Sequence, residues 1–300
     1  MLKKKLNKWL YEKTIDFMRK QAKVEVHTME VDGYTIAYLE SKNRSNKKTL
    51  ILQHGNNDEK DTWLMCASAL KDKYHLIIID LLGCGDNSLP MDFDYSLGSQ
   101  ADFLYKVITQ LTQEKDIKSF SLAGQSLGGG LAILLANRLP IEKLILIDAL
   151  GLTVKTSKFI EDGIKIGEID KLPWLNLQSK EQLRSFAKDA YYKAPYMPSF
   201  ILEHFVKKKK PLANLEKKKF SFIVDETMFP IDDFTQEISQ IKPETLIVWG
   251  EEDKGINIAN AYKMDELIDN STLRIYPKCG HMLHSEKPKE LARDIVEFLG

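Results

Sequence analysis

A serine stands between glycines in the segment GQSLG, Gly124 to Gly128, where a short apolar run gives way to a helical pattern. Neighbours without a Cβ allow a sharp strand-to-helix turn, and that turn presents the hydroxyl at a helix start, where backbone N–H groups favour negative charge. In this setting the G-x-S-x-G pattern predicts that Ser126 is a nucleophile. A purely structural tight turn is the alternative. A dinucleotide-binding loop is disfavoured, because Ser126 and Leu127 interrupt the G-x-G-x-x-G order.

A nucleophilic serine needs a base, and the base needs a carboxylate that orients it. The last third of the chain offers both, since Asp253 follows the apolar run TLIVWG and His281 follows the run TLRIYP. The order serine, acid, histidine is expected when the nucleophile lies on an earlier strand. We favour His281 as the base because a glycine precedes it. The competing candidates are His284 for the base and Glu251, Glu252 and Asp148 for the acid.

The elements that must position these residues are strand-like segments separated by helical patterns. The first two form a predicted hairpin with its turn at Asp32-Gly33. Short, nearly continuous apolar runs follow at residues 49–55, 75–80, 119–124, 143–148, 245–250 and 272–277. Such runs are typical of strands buried on both faces of a parallel sheet. Helical patterns lie at residues 62–72, 97–114, 127–138, 258–269 and 288–299. The alternation predicts an α/β fold, with a mostly parallel eight-stranded sheet covered by helices.

The alternation stops between residues 151 and 230, a segment with helical patterns, several prolines and the basic stretch VKKKKPLANLEKKKF. Because the strand pattern resumes at Thr245, we interpret residues 151–230 as a helical insertion between two strands of one sheet. Such an insertion would cap the edge where ligands bind in open α/β folds. The predicted organisation is an amphipathic helix at 1–22, a core at 23–150 and 231–300, and the insertion at 151–230.

Composition narrows the class of protein. The chain has 300 residues, 43% of them hydrophobic, which is enough for a substantial core. Its 43 basic residues balance 43 acidic ones, so no overall charge favours nucleic acid. The three cysteines lack CxxC spacing and argue for a reducing cytoplasm. No apolar run approaches the roughly 20 residues that span a bilayer, and we identify no signal peptide.

Taken together, the motifs resemble those of the α/β-hydrolase fold serine hydrolases, in the esterase-like branch with a helical cap. The resemblance rests on LQHGNN, DLLGCGDNS, GQSLGG, GEEDKG and GHMLHSEKP, which occur in that order along the chain. It extends from about Val24 to Gly300, apart from the insertion. Several motifs in the right order are far more specific than any one of them. The resemblance implies the α/β-hydrolase fold.

The same resemblance implies a role for each motif. Ser126 is the nucleophile, His281 the general base and Asp253 the triad acid, while the backbone N–H groups of Asn56 and Leu127 form the oxyanion hole. The implied substrate is a small acyl compound, a carboxylic ester or a thioester. No metal or organic cofactor is required.

The identity of the substrate stays open at this stage. A carbon-carbon bond hydrolase of dienoic ring-cleavage products uses the same triad, and a non-catalytic ligand-binding protein could retain it. Asn57 and Trp174 are candidate substrate contacts. The alternatives are that Asn57 shapes its loop and that Trp174 packs the insertion onto the core.

The amino-terminal helix has an apolar face, with lysines around the rest; its residues are Leu2, Leu6, Trp9, Leu10 and Phe17. We expect this apolar face to pack on the protein. The alternative is a weak contact with a membrane surface. We expect lysines 207–210 and 217–219 to form a solvated face; alternatively, they could draw in an anionic substrate or a lipid surface. The sequence does not indicate an oligomeric state.

Overall fold

The centre of the computed structural model, which describes residues 2–45, 47–168, 171–172, 175 and 177–300, is an eight-stranded sheet. The strand order is β1-β2-β4-β3-β5-β6-β7-β8. The strands are β1 Val24–Val31, β2 Tyr34–Ser41, β3 Thr49–Gln53, β4 His75–Ile79, β5 Phe120–Gln125, β6 Ile141–Ile147, β7 Glu244–Gly250 and β8 Ser271–Tyr276. β2 runs antiparallel to β1 and β4, and the other neighbouring pairs are parallel. The predicted fold class is confirmed.

The apolar runs become strands because both faces of the sheet are covered. Every residue of β3 and β4 is buried. In β3, Ile51 belongs to one hydrophobic cluster while Leu50 and Leu52 belong to another, as expected when successive side chains point to opposite faces. The predicted hairpin turn is present, with Asp32 at φ 50° and Gly33 at φ 80°.

Helices cover the two faces. They are α1 Leu2–Ala22, α2 Leu64–Leu70, α3 Leu97–Glu114, α4 Leu127–Leu135, α5 Lys158–Ile166, α6 Lys180–Ala190, α7 Ser199–Lys209, α8 Ala213–Phe220, α9 Thr235–Ser239, α10 Ala259–Leu267, α11 Leu283–Glu286 and α12 Pro288–Leu299. Helices α2 and α12 contribute to one hydrophobic cluster, and α3, α4 and α10 to the other. Within the described part of the chain, no helix combines the length and apolar character needed to cross a membrane.

Helix α1 packs on the protein with a different face from the expected one. The side chains of Leu6, Trp9 and Phe17 are 54%, 52% and 61% exposed. Tyr11 is buried instead, and its ring stacks on that of His204 with centroids 3.4 Å apart. The expectation about the apolar face was therefore wrong for these three residues, because aromatic and ionic contacts decide the rotation of the helix, whereas Leu10 is half-buried.

The ionic contact of α1 is a paired hydrogen bond between Arg19 and Asp61. Arg19 Nε donates to Asp61 Oδ1 at 2.7 Å, and a terminal nitrogen of the guanidinium donates to Oδ2 at 2.5 Å. Two parallel hydrogen bonds between a guanidinium and a carboxylate fix orientation as well as distance. This pair joins α1 to the short 3-10 helix at Lys60–Trp63.

Helices α5 to α8 lie between β6 and β7, which are adjacent in the sheet. The expectation that the lysines of this segment form a solvated face is wrong for several of them. Lys219 is buried, and its Nζ donates to the carbonyl oxygen of Gly83 at 3.2 Å and to Glu216 Oε1 at 3.0 Å. Lys208 pairs with Glu59. Lys208 and Lys219 thus join α7 and α8 to the loops that carry Glu59 and Gly83.

Candidate active site

Ser126 lies at the sharp turn between β5 and α4. Its backbone has φ 54° and ψ −119°, which an L-residue rarely adopts. The turn is held because Ser126 N donates to the carbonyl oxygen of Ile147 at 3.0 Å. A Cβ on Gly128 would lie 2.5 Å from the backbone oxygen of His54, so only glycine fits there. The glycines around Ser126 therefore serve close packing, and the strained turn presents the hydroxyl.

The structure brings Ser126, His281 and Asp253 into one hydrogen-bonded row. His281 Nε2 lies 3.0 Å from Ser126 Oγ, and His281 Nδ1 lies 2.8 Å from Asp253 Oδ2. Asp253 follows β7 and His281 follows β8, as expected from the sequence. A carboxylate on Nδ1 keeps the proton on that nitrogen, so Nε2 is left to accept a proton from the serine hydroxyl.

The carboxylate of Asp253 is itself held in place. Its side chain is fully buried, and Oδ1 accepts hydrogen bonds from the backbone N–H groups of Gly255 at 2.6 Å and Ile256 at 3.0 Å. Hydrogen bonds to one oxygen stabilise the ionised form and direct the other oxygen at the imidazole. The loop after β7 therefore fixes the direction of this group.

Asp148, the competitor at the end of β6, lies close by but does not contact the imidazole through a hydrogen bond. Its Oδ1 accepts from Gly250 N at 2.8 Å, and its buried Oδ2 has no hydrogen-bond partner among the described residues. Burial, followed by the charge of Asp253, raises the pKa of the Asp148 carboxyl well above its usual value. Burial and the neighbouring charge thus favour the protonated form of Asp148.

These same groups are the one set, among the described residues, that is spaced closely enough to hold a metal ion. Ligand atoms of Asp148, Asp253 and His281 lie within 4.8 Å of one another. The Nδ1 atom of His281 and Asp253 Oδ2 are already hydrogen-bonded to each other at 2.8 Å. The row that ends at Ser126 thus explains why His281 and Asp253 lie so close together.

The other candidates lie away from the row. Glu252 accepts from the backbone N–H groups of Lys278 and Cys279, and Glu251 is exposed. His284 is fully buried and stacks on Trp63, with ring centroids 4.8 Å apart. Burial lowers the pKa of His284 to about 3, so its ring is neutral.

The loop after β3 is oriented by His54, a residue of the motif HGNN whose role the sequence pattern did not indicate. The ring of His54 is buried, and burial lowers its pKa to about 3. Nε2 accepts from Leu81 N at 3.0 Å, so Nδ1 carries the proton and donates to the carbonyl oxygen of Gly55 at 2.8 Å. The neutral imidazole thereby fixes the peptide group between Gly55 and Asn56.

The two predicted oxyanion donors lie at the same cavity as Ser126. Asn56 and Leu127 both line it. Leu127 is the first residue of α4, and the N–H groups at the start of a helix have no partner within the helix. Gln125, also missed from the sequence, links these loops because its Nε2 donates to the backbone oxygen of His281 at 2.9 Å.

Of the two predicted substrate contacts, Asn57 lines the cavity and Trp174 lies outside the described residues. Asn57 adopts the left-handed region, with φ 59°. Both its backbone oxygen and its Oδ1 accept from Nζ of Lys209, a residue of α7. This contact favours the interpretation that Asn57 shapes its loop.

The cavity beside Ser126 and His281 has a volume of about 210 Å³. Its wall from the insertion is mainly apolar and includes Phe159, Ile160, Leu177, Phe186, Phe220 and Met228. Near the loop after β3 the wall is polar, with Asn57 and Asp58. Burial raises the pKa of Asp58 to about 7. The cavity therefore combines an apolar arm with a polar end close to Ser126.

Known proteins resemble the chain over nearly its whole length. Lipase 3 of Moraxella sp. (strain TA144) is 28% identical over 291 residues, which cover 96% of this chain and 88% of the relative. The monoacylglycerol lipase ABHD6 of Bos taurus is 26% identical over 290 residues, covering 94% and 84%. A solved structure of a bacterial membrane phospholipase A has a TM-score of 0.88 at 26% identity, covering 98% of this chain and 91% of that one.

A family model described as alpha/beta hydrolase fold matches residues 48–288. That span contains the loop after β3, the turn at Ser126 and the loops that carry Asp253 and His281. The resemblance drawn from the motifs is thus confirmed, and the chain belongs to the alpha/beta hydrolase fold family.

Proposed function

We propose that the protein is a serine hydrolase that cleaves a carboxylic ester or thioester through an acyl-enzyme intermediate on Ser126. The observation that carries the proposal is the row from Ser126 Oγ through His281 to Asp253, with distances of 3.0 and 2.8 Å. Relatives named lipase, monoacylglycerol lipase and phospholipase support an ester as the bond that is cleaved.

The proposed reaction has two steps. His281 Nε2 removes the proton of Ser126 as Oγ attacks the carbonyl carbon, and Asp253 stabilises the imidazolium that results. His281 then gives this proton to the leaving alcohol or thiol, which leaves the acyl group on Ser126. Water attacks the acyl-enzyme with His281 again as the base, and the acid product is released.

The oxyanion formed in each step is stabilised by the backbone N–H groups of Asn56 and Leu127. One such donor typically contributes about 2.7–4 kcal/mol to stabilisation of the transition state. The start of α4 adds a favourable dipole at the same position. Because β5 and the His54 contact hold these groups beforehand, little rearrangement is needed when the charge develops.

We propose that residues 151–230 act as a cap, with the core at 23–150 and 231–300 and a separate helix at 1–22. The apolar wall that Phe159, Phe186 and Phe220 contribute supports an apolar acyl chain as the group bound under the cap. Exclusion of water from this arm would strengthen the hydrogen bonds around the carbonyl group.

The cellular location of the protein and its contact with a membrane surface are also proposals. A cytoplasmic location is supported by Cys66, Cys84 and Cys279, which are buried and form no disulfide. The exposed side chains of Trp9 and Phe17 on a lysine-rich helix support a weak contact with a membrane surface.

Covalent labelling with a fluorophosphonate probe tests the proposed nucleophile. We expect an adduct on Ser126 in the native chain and none in Ser126→Ala, whose melting temperature should match that of the native chain. Absence of an adduct on folded native protein would sink the hydrolase proposal.

A panel of p-nitrophenyl esters of increasing chain length tests the class of bond. We expect turnover that improves as the acyl chain lengthens, because the apolar arm buries the added methylene groups. Negligible turnover across the panel, together with turnover of a dienoic diketone, would replace the ester by a carbon-carbon bond.

A further inference from the structure

Lys209, near the end of α7, joins the insertion to the loop that carries Asn56. Its Nζ donates to Asn57 Oδ1 at 2.5 Å and also to the backbone oxygen of the same residue. A single ammonium group therefore holds both the main chain and the side chain of Asn57. Lys209 and its neighbour Lys208 are half-buried, whereas Lys207 and Lys210 are exposed.

The loop between β3 and the following 3-10 helix is thus anchored on both sides of Asn56. On one side, His54 Nδ1 donates to the carbonyl oxygen of Gly55 at 2.8 Å. That oxygen and the N–H of Asn56 belong to the same trans peptide group, so their directions are fixed together. On the other side, Lys209 fixes the residue that follows, Asn57.

Asn57 needs such a contact because its backbone is in the left-handed region, with φ 59°. Asparagine tolerates this region better than most residues, but surrounding contacts usually hold a non-glycine residue there. The two hydrogen bonds from Lys209 supply that support from the insertion. If these two hydrogen bonds were lost, Asn56 would be oriented, among the described contacts, by those that the core makes, such as the hydrogen bond from His54.

We propose that Lys209 is a positioning residue for the oxyanion hole, so that seating of the insertion on the core completes the site. The inference rests on the proposed function, in which the N–H of Asn56 binds the oxyanion. Lys209 itself touches neither substrate nor Ser126. It acts through Asn57, and an insertion that is not seated would leave Ser126 and His281 in place beside an incomplete hole.

The test compares Lys209→Met with the native chain and with Lys210→Met as the matched control. Methionine keeps an unbranched side chain as far as the ε position and removes the ammonium group. We expect kcat to fall about 10- to 100-fold, since small displacements of a positioned group cost up to about 100-fold. KM should change little, and Lys210→Met should behave as the native chain.

A second readout separates positioning from a merely structural role. A trifluoromethyl ketone forms a tetrahedral adduct with an active-site serine, and its oxyanion occupies the hole. We expect its affinity to fall by the same factor as kcat in Lys209→Met, while the melting temperature stays close to that of the native chain. Lys209→Arg keeps a cation and its hydrogen-bond donors, so it should retain most of the native kcat and most of the native affinity for the ketone.

Native kcat and native ketone affinity in Lys209→Met would overturn the inference. A fall in kcat without a fall in ketone affinity would overturn it as well, because the hole would then be intact. Asn57→Gly provides a second variant, which is measured alone if Lys209→Met is unstable, since glycine accepts φ 59° and removes the side-chain amide that Lys209 contacts.

For the second variant we expect a smaller fall in ketone affinity, and a double variant no worse than Lys209→Met alone. Additive losses in the double variant would count against a shared mechanism. The proposed function fails by a different result, namely the absence of a fluorophosphonate adduct on Ser126 in the native chain.

Discussion

Two aspartates lie beside His281, and replacing each of them by asparagine separates their roles. Asp253 Oδ2 lies 2.8 Å from His281 Nδ1, whereas Asp148 Oδ1 accepts from Gly250 N at 2.8 Å. Asp148 Oδ2 is buried without a partner among the described residues. If Asp253 is the only ionised member, the two substitutions differ strongly in their effect on catalysis.

We expect Asp253→Asn to lower kcat by about 10⁴-fold, as in other sites where an amide replaces the triad carboxylate. That factor corresponds to about 5.5 kcal/mol of lost transition-state stabilisation. Asp148→Asn should retain a rate near that of the native chain. An amide has the shape of a protonated carboxyl group, and its oxygen can still accept from Gly250 N.

The protonation of Asp148 also makes a prediction about stability. The folded chain keeps a proton on Asp148 that the unfolded chain releases above its ordinary pKa near 3.8. The native chain therefore loses about 1.4 kcal/mol of unfolding free energy per pH unit from this group, between that pH and the folded-state pKa. Asp148→Asn lacks this loss, so its stability relative to the native chain should rise with pH in the same window.

Urea denaturation in one-unit steps from about pH 4 to 8 measures this difference, and ester hydrolysis at each pH measures the rate. The denaturation midpoints and slopes give the free energy of each variant. A stability difference that does not change with pH would refute the protonated state of Asp148. A loss of activity in Asp148→Asn as large as that in Asp253→Asn would refute the assignment of roles.

Two further substitutions test what supports the site. Gly128→Ala should lower the unfolding free energy by about 1–3 kcal/mol in thermal melts, because its Cβ would lie 2.5 Å from the backbone oxygen of His54. Gly98→Ala is the control and should not lower the unfolding free energy, since no atom lies within 4 Å of its Cβ. Lys60→Met should lower the unfolding free energy measured by urea denaturation by about 3–5 kcal/mol, since the buried Asp80 lies 2.8 Å from Lys60 Nζ and would lose its counter-ion. Adding Asp80→Asn should recover part of this loss.

The sheet could be predicted closely because buried parallel strands leave a strong local signal. The apolar run at 143–148 became β6 at Ile141–Ile147, and the helical pattern at 97–114 became α3 with the same bounds. Strand-end loops follow directly from such strands. The residues that the structure brings together at Ser126 were therefore within reach of the sequence.

Contacts between distant residues that no motif marks were not within reach of the sequence. The rotation of α1 depends on His204, which stacks on Tyr11, and no local pattern relates those positions. Lys209 and Asn57 are separated by 152 positions, so the basic run gave no sign that one of its members binds that loop. Periodicity describes which face of a helix is apolar, but the partner decides which face is buried.

The edge position of β8 bears on how the protein loses activity. β8 pairs with β7 on one side, ends the sheet and carries the loop with His281, whose hydrogen bond to Ser126 joins residues 155 positions apart. Elements at an edge open with less free energy than the whole domain. Local fraying of this edge would remove His281 from Ser126 while the middle strands stay paired. We therefore expect inactivation on heating to precede the loss of most secondary structure.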